Sequence, residues 1–116
     1  MPNKRNPLGL NPLQLRTLTL LQALAALPDA QPGEAEGSVR LTTLPDPHGD
    51  HFHLGDAVVA SRDATGLANQ AAWVALERKG LIKATHFPQA VIMTPAGLAY
   101  DTSLEASILH RGGAAH

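Results

Sequence analysis

Three punctuation points constrain this chain more than any other feature: Asn11-Pro12, Gly80 and Thr94-Pro95. Asn or Thr followed by proline starts a helix, because the polar side chain accepts from a free backbone N–H and proline needs no donor at the first helical position. Gly80 ends one, since glycine alone adopts the left-handed backbone of a C-cap without cost. The first helix therefore runs from Asn11 to about Leu27, where Pro28 stops it. A second runs from about Thr65 to Lys79, and a last one from Pro95 to about His110.

The segments between these helices read as follows. Residues 28–37 hold Pro28, Pro32, Gly33 and Gly37, which predicts a mobile connection. Residues 38–44 are a strand candidate with β-branched Val39, Thr42 and Thr43. Asp46-Pro47-His48-Gly49-Asp50 is turn chemistry, so residues 51–54 are expected to return beside 38–44 as a hairpin. Residues 55–60 form a short apolar stretch expected to be helical, and 61–65 a polar break. Residues 81–87 and 90–93 read as two strands joined at Pro88-Gln89.

In the first helix, Leu13, Leu20, Leu24 and Leu27 share one face while Leu15 and Leu18 lie on the other. A helix with leucines on two faces is either central to the domain or part of a dimer interface. With 116 residues there is room for one domain, over 11–110, flanked by a flexible basic arm over 1–10 and a disordered tail over 111–116. Only 3% of residues are aromatic, so the core must be built from Leu, Ala, Val and Ile.

The formal charge of -1 excludes a protein that coats nucleic acid through bulk charge, but it hides an uneven distribution. Residues 1–28 carry +3, residues 29–60 carry -5, residues 61–100 carry +2 and the remainder -1. Cysteine is absent, which removes disulfides and thiolate chemistry and fits a cytoplasmic location. Lys4 and Arg5 before the apolar run 17–27 have the outline of a secretory signal. Arg16, Gln22 and the helical spacing argue instead for a domain helix. No stretch reaches the roughly 20 apolar residues of a membrane span.

The predicted order is helix, strand, short helix, turn, longer helix, β-hairpin, helix. The stretches Leu76-Glu77-Arg78-Lys79-Gly80-Leu81-Ile82 and Met93-Thr94-Pro95-Ala96-Gly97-Leu98 resemble the end of the recognition helix, the wing and the entry to the next helix in MarR-type and PadR-type bacterial transcription regulators. The resemblance covers about residues 52–100, with 11–27 fitting the preceding helix. It implies an α+β winged helix-turn-helix with an N-terminal helix, a small β-hairpin wing and a C-terminal helix. It also implies a homodimer, formed through the first and last helices, that binds double-stranded DNA.

Leu76, Leu81 and Ile82 are then core residues. Turning Leu76 inward takes Ala72, Trp73 and either Ala68 or Asn69 with it, and exposes Leu67, Gln70, Ala71, Val74 and Arg78. On this frame Gln70, Asn69 and Arg62 face bases, while Arg78, Lys79, Lys83 and His86 hold phosphates. Lys4 and Arg5 add a basic arm. The ordinary alternative for each is a solvated surface charge, and for Trp73 a core position. The apolar stripe Leu67, Ala71 and Val74 supports a second reading, a winged-helix module that captures a protein partner.

Other chemistry finds little footing. His48, His51 and His53 beside Asp46 and Asp50 have ligand-like composition. On an extended 51–53 segment the two histidines project to one side, but solvation of a polar turn accounts for them equally well. No Gly-rich phosphate loop, nucleophile motif or interpretable acid pair is present, so neither an enzyme nor a cofactor is expected.

Overall fold

Asn11 caps the first helix, α1 (Pro12–Ala25), through a reciprocal pair of bonds. Its Oδ1 accepts from Gln14 N at 2.8 Å, and Gln14 Oε1 accepts from Asn11 N at 3.0 Å. The computed structural model describes residues 6–42, 44–45 and 49–111 of the chain. Within them α1 is the central element, since Thr17, Leu18, Thr19, Leu20 and Leu21 are all buried in succession. Five consecutive buried residues cover more than a full helical turn, so this part of α1 has no solvent face. Thr17 and Thr19 tolerate burial because their hydroxyls donate to Leu13 O and Leu15 O at 2.8 Å. Leu18 and Leu20, one from each leucine face, are both in the core, while Leu13, Leu15, Leu24 and Leu27 are half-buried.

Two antiparallel sheets flank this helix. The first has the order β1 (Gln31–Pro32), β2 (Val39–Leu41), β6 (Ala90–Met93), β5 (Ile82–His86). Its inward rows are Val39–Met93–Ile82 and Leu41–Val91–Ala84, and its outward row is Arg40–Ile92–Lys83. The inward rows pack on α1 through β2 and β6. The connection expected to be mobile therefore contains a strand, held where Gly33 N donates to Ser38 O at 3.0 Å.

The second sheet has the order β3 (His51–Leu54), β4 (Ala57–Ala60), β7 (His110–Arg111). It corrects two expectations. Residues 51–54 pair with 57–60, not with 38–44, and residues 57–60 are a strand, not a helix. Alternation decides it, because Ala57 and Val59 point inward while Val58 and Ala60 are half-buried. Two β-branched residues side by side also favour a pleated surface over a helix.

The helix expected over 65–79 is broken at Asn69. A 3-10 helix covers Ser61–Ala68, and α2 covers Gln70–Arg78. Asn69 is extended (φ -108°, ψ 106°), and its side chain accepts from Ala72 N at 3.1 Å as the N-cap of α2. The 3-10 helix can lie close against α1 because residue 66 is glycine, where any Cβ would collide with the Thr17 hydroxyl. Trp73 is 1% exposed and meets Phe87 edge to face at 4.8 Å, so it is a core residue.

Thr94 and Pro95 start α3 (Pro95–Ala99), with Gly97 N donating to Thr94 Oγ1 at 3.0 Å. The long final helix is interrupted. At Ser103, φ is +62° and the backbone N–H donates to Asp101 Oδ1, which turns the chain before α4 (Glu105–Ile108) and β7. Buried Thr102 shares a hydrogen bond with Thr19, and Gln22 Nε2 donates to Gly97 O at 2.8 Å and Tyr100 O at 2.7 Å. Alpha-helical order is thus interrupted over residues 100–104, where the chain is attached to α1 instead. The described residues form an α+β fold of five helices, the 3-10 helix included, and two antiparallel sheets.

Candidate nucleic-acid interface

At about 100° per residue, Gln70, Ala71, Val74, Glu77 and Arg78 fall within roughly 120° of arc on α2. All five are exposed, whereas Ala72, Trp73 and Leu76 on the opposite side are buried. This exposed arc leads directly into the hairpin. Gly80 closes α2 with φ +78°, and Leu81 N donates to Leu76 O at 3.1 Å. Thr94 Oγ1 then fastens the base of the hairpin, reaching Gly80 O at 2.7 Å and Leu81 O at 3.0 Å.

The arc carries one acid, and it is bonded to the hairpin. Glu77 Oε2 accepts from Ala84 N at 3.3 Å and so ties α2 to β5. Lys83 and His86 are exposed on β5, and the tip is closed by Gln89 N donating to His86 O at 2.7 Å. Arg40 lies in the same outward row as Lys83, with Ile92 between them. Arg40 was not among the residues expected at the site. Strand alternation alone would have placed it on the outer face opposite Leu41.

Several expected residues sit elsewhere or have other partners. Leu67 is 3% exposed and belongs to the core, because the 3-10 geometry rotates it inward. The apolar stripe is therefore reduced to Ala71 and Val74, the latter 39% exposed. Asn69 caps α2 with its carbonyl oxygen, which removes that atom from base reading. Arg62 is exposed but lines a depression with Pro12, Leu15, Arg16 and Asp63 together with Leu104, Ser107 and Ile108 of the C-terminal segment. Its neighbours are α1 and α4, not the arc of α2. Lys79 remains exposed while its Nζ donates to Leu8 O at 3.0 Å.

That last bond belongs to a stitched N-terminal segment. Leu8 N donates to Tyr100 Oη at 3.0 Å, and Tyr100 Oη donates to Asn6 Oδ1 at 2.7 Å. Asn6 also closes its own loop, accepting from Leu10 N and donating to Leu10 O, both at 2.8 Å. Residues 6–10 are thus held to α2 and α3, in contrast to the flexible arm expected over 1–10. Lys4 and Arg5 lie outside the described residues, as does His48. His51 and His53 do project to one side, with ring centroids 5.7 Å apart, and His51 Nδ1 lies 3.1 Å from Asp50 Oδ1. Among the described residues no third ligand joins them.

Among the described residues the ion pairs are Arg111–Asp56 and His51–Asp50, so Arg78, Lys79 and Lys83 carry no carboxylate partner there. Unneutralised cations on a helix face and its adjoining hairpin can receive phosphate oxygens. No helix among the described residues is long and apolar enough to cross a membrane. No protein-family model matches the chain, and no curated protein or solved structure matches it significantly.

Proposed function

We propose that this chain is a winged helix-turn-helix domain that binds double-stranded DNA as a transcription regulator, with α2 as the reading helix and β5–β6 as the wing. The observation that carries the proposal is the set of exposed side chains Gln70, Arg78, Lys79, Lys83 and His86 on α2 and the hairpin, where Arg78, Lys79 and Lys83 form no ion pair among the described residues and the one acid of the arc, Glu77, accepts from Ala84 N. The strand order β2-β6-β5, with α1 and α2 packed together, supports the same architecture.

In this reading Gln70 faces base edges and Arg78, Lys79 and Lys83 face phosphates. Three phosphate contacts give a slope of log K against log salt of about -3 per protomer, and about -5 to -6 for a homodimer. Arg62 is dropped as a base reader and Asn69 keeps only its amide nitrogen for that purpose. The test is fluorescence anisotropy with a mixed-sequence duplex at about 50 and 200 mM salt, followed by selection from random DNA. Absence of binding at about 50 mM salt and tens of micromolar protein refutes the proposal.

A second reading rests on Val74. It is one of two large hydrophobics exposed among the described residues, and Ala71 beside it would let a partner backbone approach closely. As a protein-binding module the chain would lose partner capture on Val74→Asp while remaining folded. DNA binding unaffected by Gln70→Ala and Arg78→Ala would favour this reading.

A further inference from the structure

The depression beside Arg62 has a composition that its surroundings do not use. Its volume is about 450 Å³, within the size range of small-molecule sites. One wall is apolar, from Leu15 of α1 and Leu104 and Ile108 of the C-terminal segment. The same depression is lined by two arginines, Arg16 and Arg62, and by Asp63. Neither arginine forms an ion pair with a carboxylate among the described residues, and Asp63 has no cationic partner there.

A second observation bears on what is missing. Arg16 Nε is buried without a hydrogen-bond partner, and so is the hydroxyl of Ser61, the neighbour of Arg62 in the chain. An unpartnered buried donor on a charged group is costly, so an acceptor brought to it is stabilising. A guanidinium fork selects a carboxylate or phosphate. The carboxylate of Asp63 disfavours a multiply charged anion in the same space and offers an acceptor to a ligand cation.

We propose that this depression binds a small zwitterion with an apolar side chain, of the α-amino acid class. Its carboxylate engages Arg16 and Arg62, its ammonium faces Asp63, and its side chain lies on Leu15, Leu104 and Ile108. This site does not depend on DNA binding, because none of its groups other than Arg62 was assigned to that surface. Arg62 joins the ligand here.

The experiment is calorimetric titration of the folded chain with L-leucine and two isosteres, 4-methylpentanoate, which lacks the ammonium, and 3-methylbutylamine, which lacks the carboxylate. Saturable binding of L-leucine is expected, weakened about 10- to 100-fold in each isostere. Arg62→Gln, at an exposed position, is expected to weaken L-leucine binding by a similar factor while the circular dichroism spectrum and thermal midpoint stay unchanged. L-Phenylalanine serves as a second probe of side-chain size. No saturation by either amino acid up to about 10 mM overturns the proposal. So does 4-methylpentanoate binding as tightly as L-leucine, or full binding retained in Arg62→Gln.

Discussion

Replacing Gly97 by alanine tests the contact that sets α3 against the hairpin. A Cβ on Gly97 would fall inside the Leu81 carbonyl group, 2.9 Å from its carbon and 3.3 Å from Leu81 Cα. The obstacle is backbone, so no rotamer change relieves it; α3 must move away from the start of β5. Overpacking of this kind costs about 1–3 kcal/mol. The shift also pulls Gly97 O from Gln22 Nε2, now 2.8 Å away; that amide still has Tyr100 O at 2.7 Å, so the loss of one of its two bonds adds about 0.5–1.5 kcal/mol. Against this, alanine is favoured over glycine inside a helix by about 1 kcal/mol. The net expectation is a loss of about 0.5–3.5 kcal/mol. With a urea m-value of about 2 kcal/mol/M, the unfolding midpoint followed by circular dichroism falls by about 0.3–1.8 M. Gly80→Ala is the control, since φ there is +78° with nothing within 4 Å of an added Cβ, and only the conformational cost of about 1 kcal/mol should appear. If Gly97→Ala changed stability by less than about 0.5 kcal/mol, close backbone packing of α3 on Leu81 would be refuted.

Other substitutions separate structural from functional roles. Arg78→Ala and Lys83→Ala should each weaken binding to duplexes of any sequence and reduce the salt slope by about 1, as read by anisotropy across a salt series. Asn69→Ser keeps an N-cap and should leave stability within about 0.5 kcal/mol, whereas Asn69→Ala should cost about 1 kcal/mol in urea unfolding. Thr19→Val removes the buried hydroxyl bonded to Thr102 and should cost about 1–3 kcal/mol by the same measurement. Leu67→Ala should cost about 2–5 kcal/mol and Val74→Ala under about 0.5 kcal/mol, a contrast that follows from 3% against 39% exposure.

What can be read along the chain is whatever is settled within a few residues. Asn11-Pro12, Gly80 and Thr94-Pro95 act through bonds to their own neighbours, so their positions are legible, as are β5 and β6 between them. Helical spacing turns Trp73 and Leu76 inward, where the structure also has them. Periodicity misleads at 65–69, where it runs through Gly66 and Asn69. Both are visible as breakers, and their weight comes from the close approach to Thr17 and the cap on Ala72. The partner of residues 51–54 is a choice between strands, and nothing local distinguishes 38–44 from 57–60. The setting of Arg62 is least legible, because its neighbours come from α1 and from the segment after residue 103. Arg16 stands out along the chain only as an interruption in an apolar run.

The enclosure of α1 has a mechanical meaning. Among the described residues no strand of one sheet is bonded to a strand of the other. The first sheet leans on α1 through β2 and β6, and the second reaches it by way of the 3-10 helix, which touches α1, β3 and β4. Helices therefore join the two sheets by two routes, one through α1 and one from β5 through α2 to the 3-10 helix, and both connect the hairpin side to the His51–Leu54 side. Amides of Thr17–Leu21 should exchange with deuterium only when the whole domain opens, while those of β3 can exchange through local fraying. Any tilt of α1 that strains one sheet is passed to the other, so the two sides of the molecule answer to the same helix.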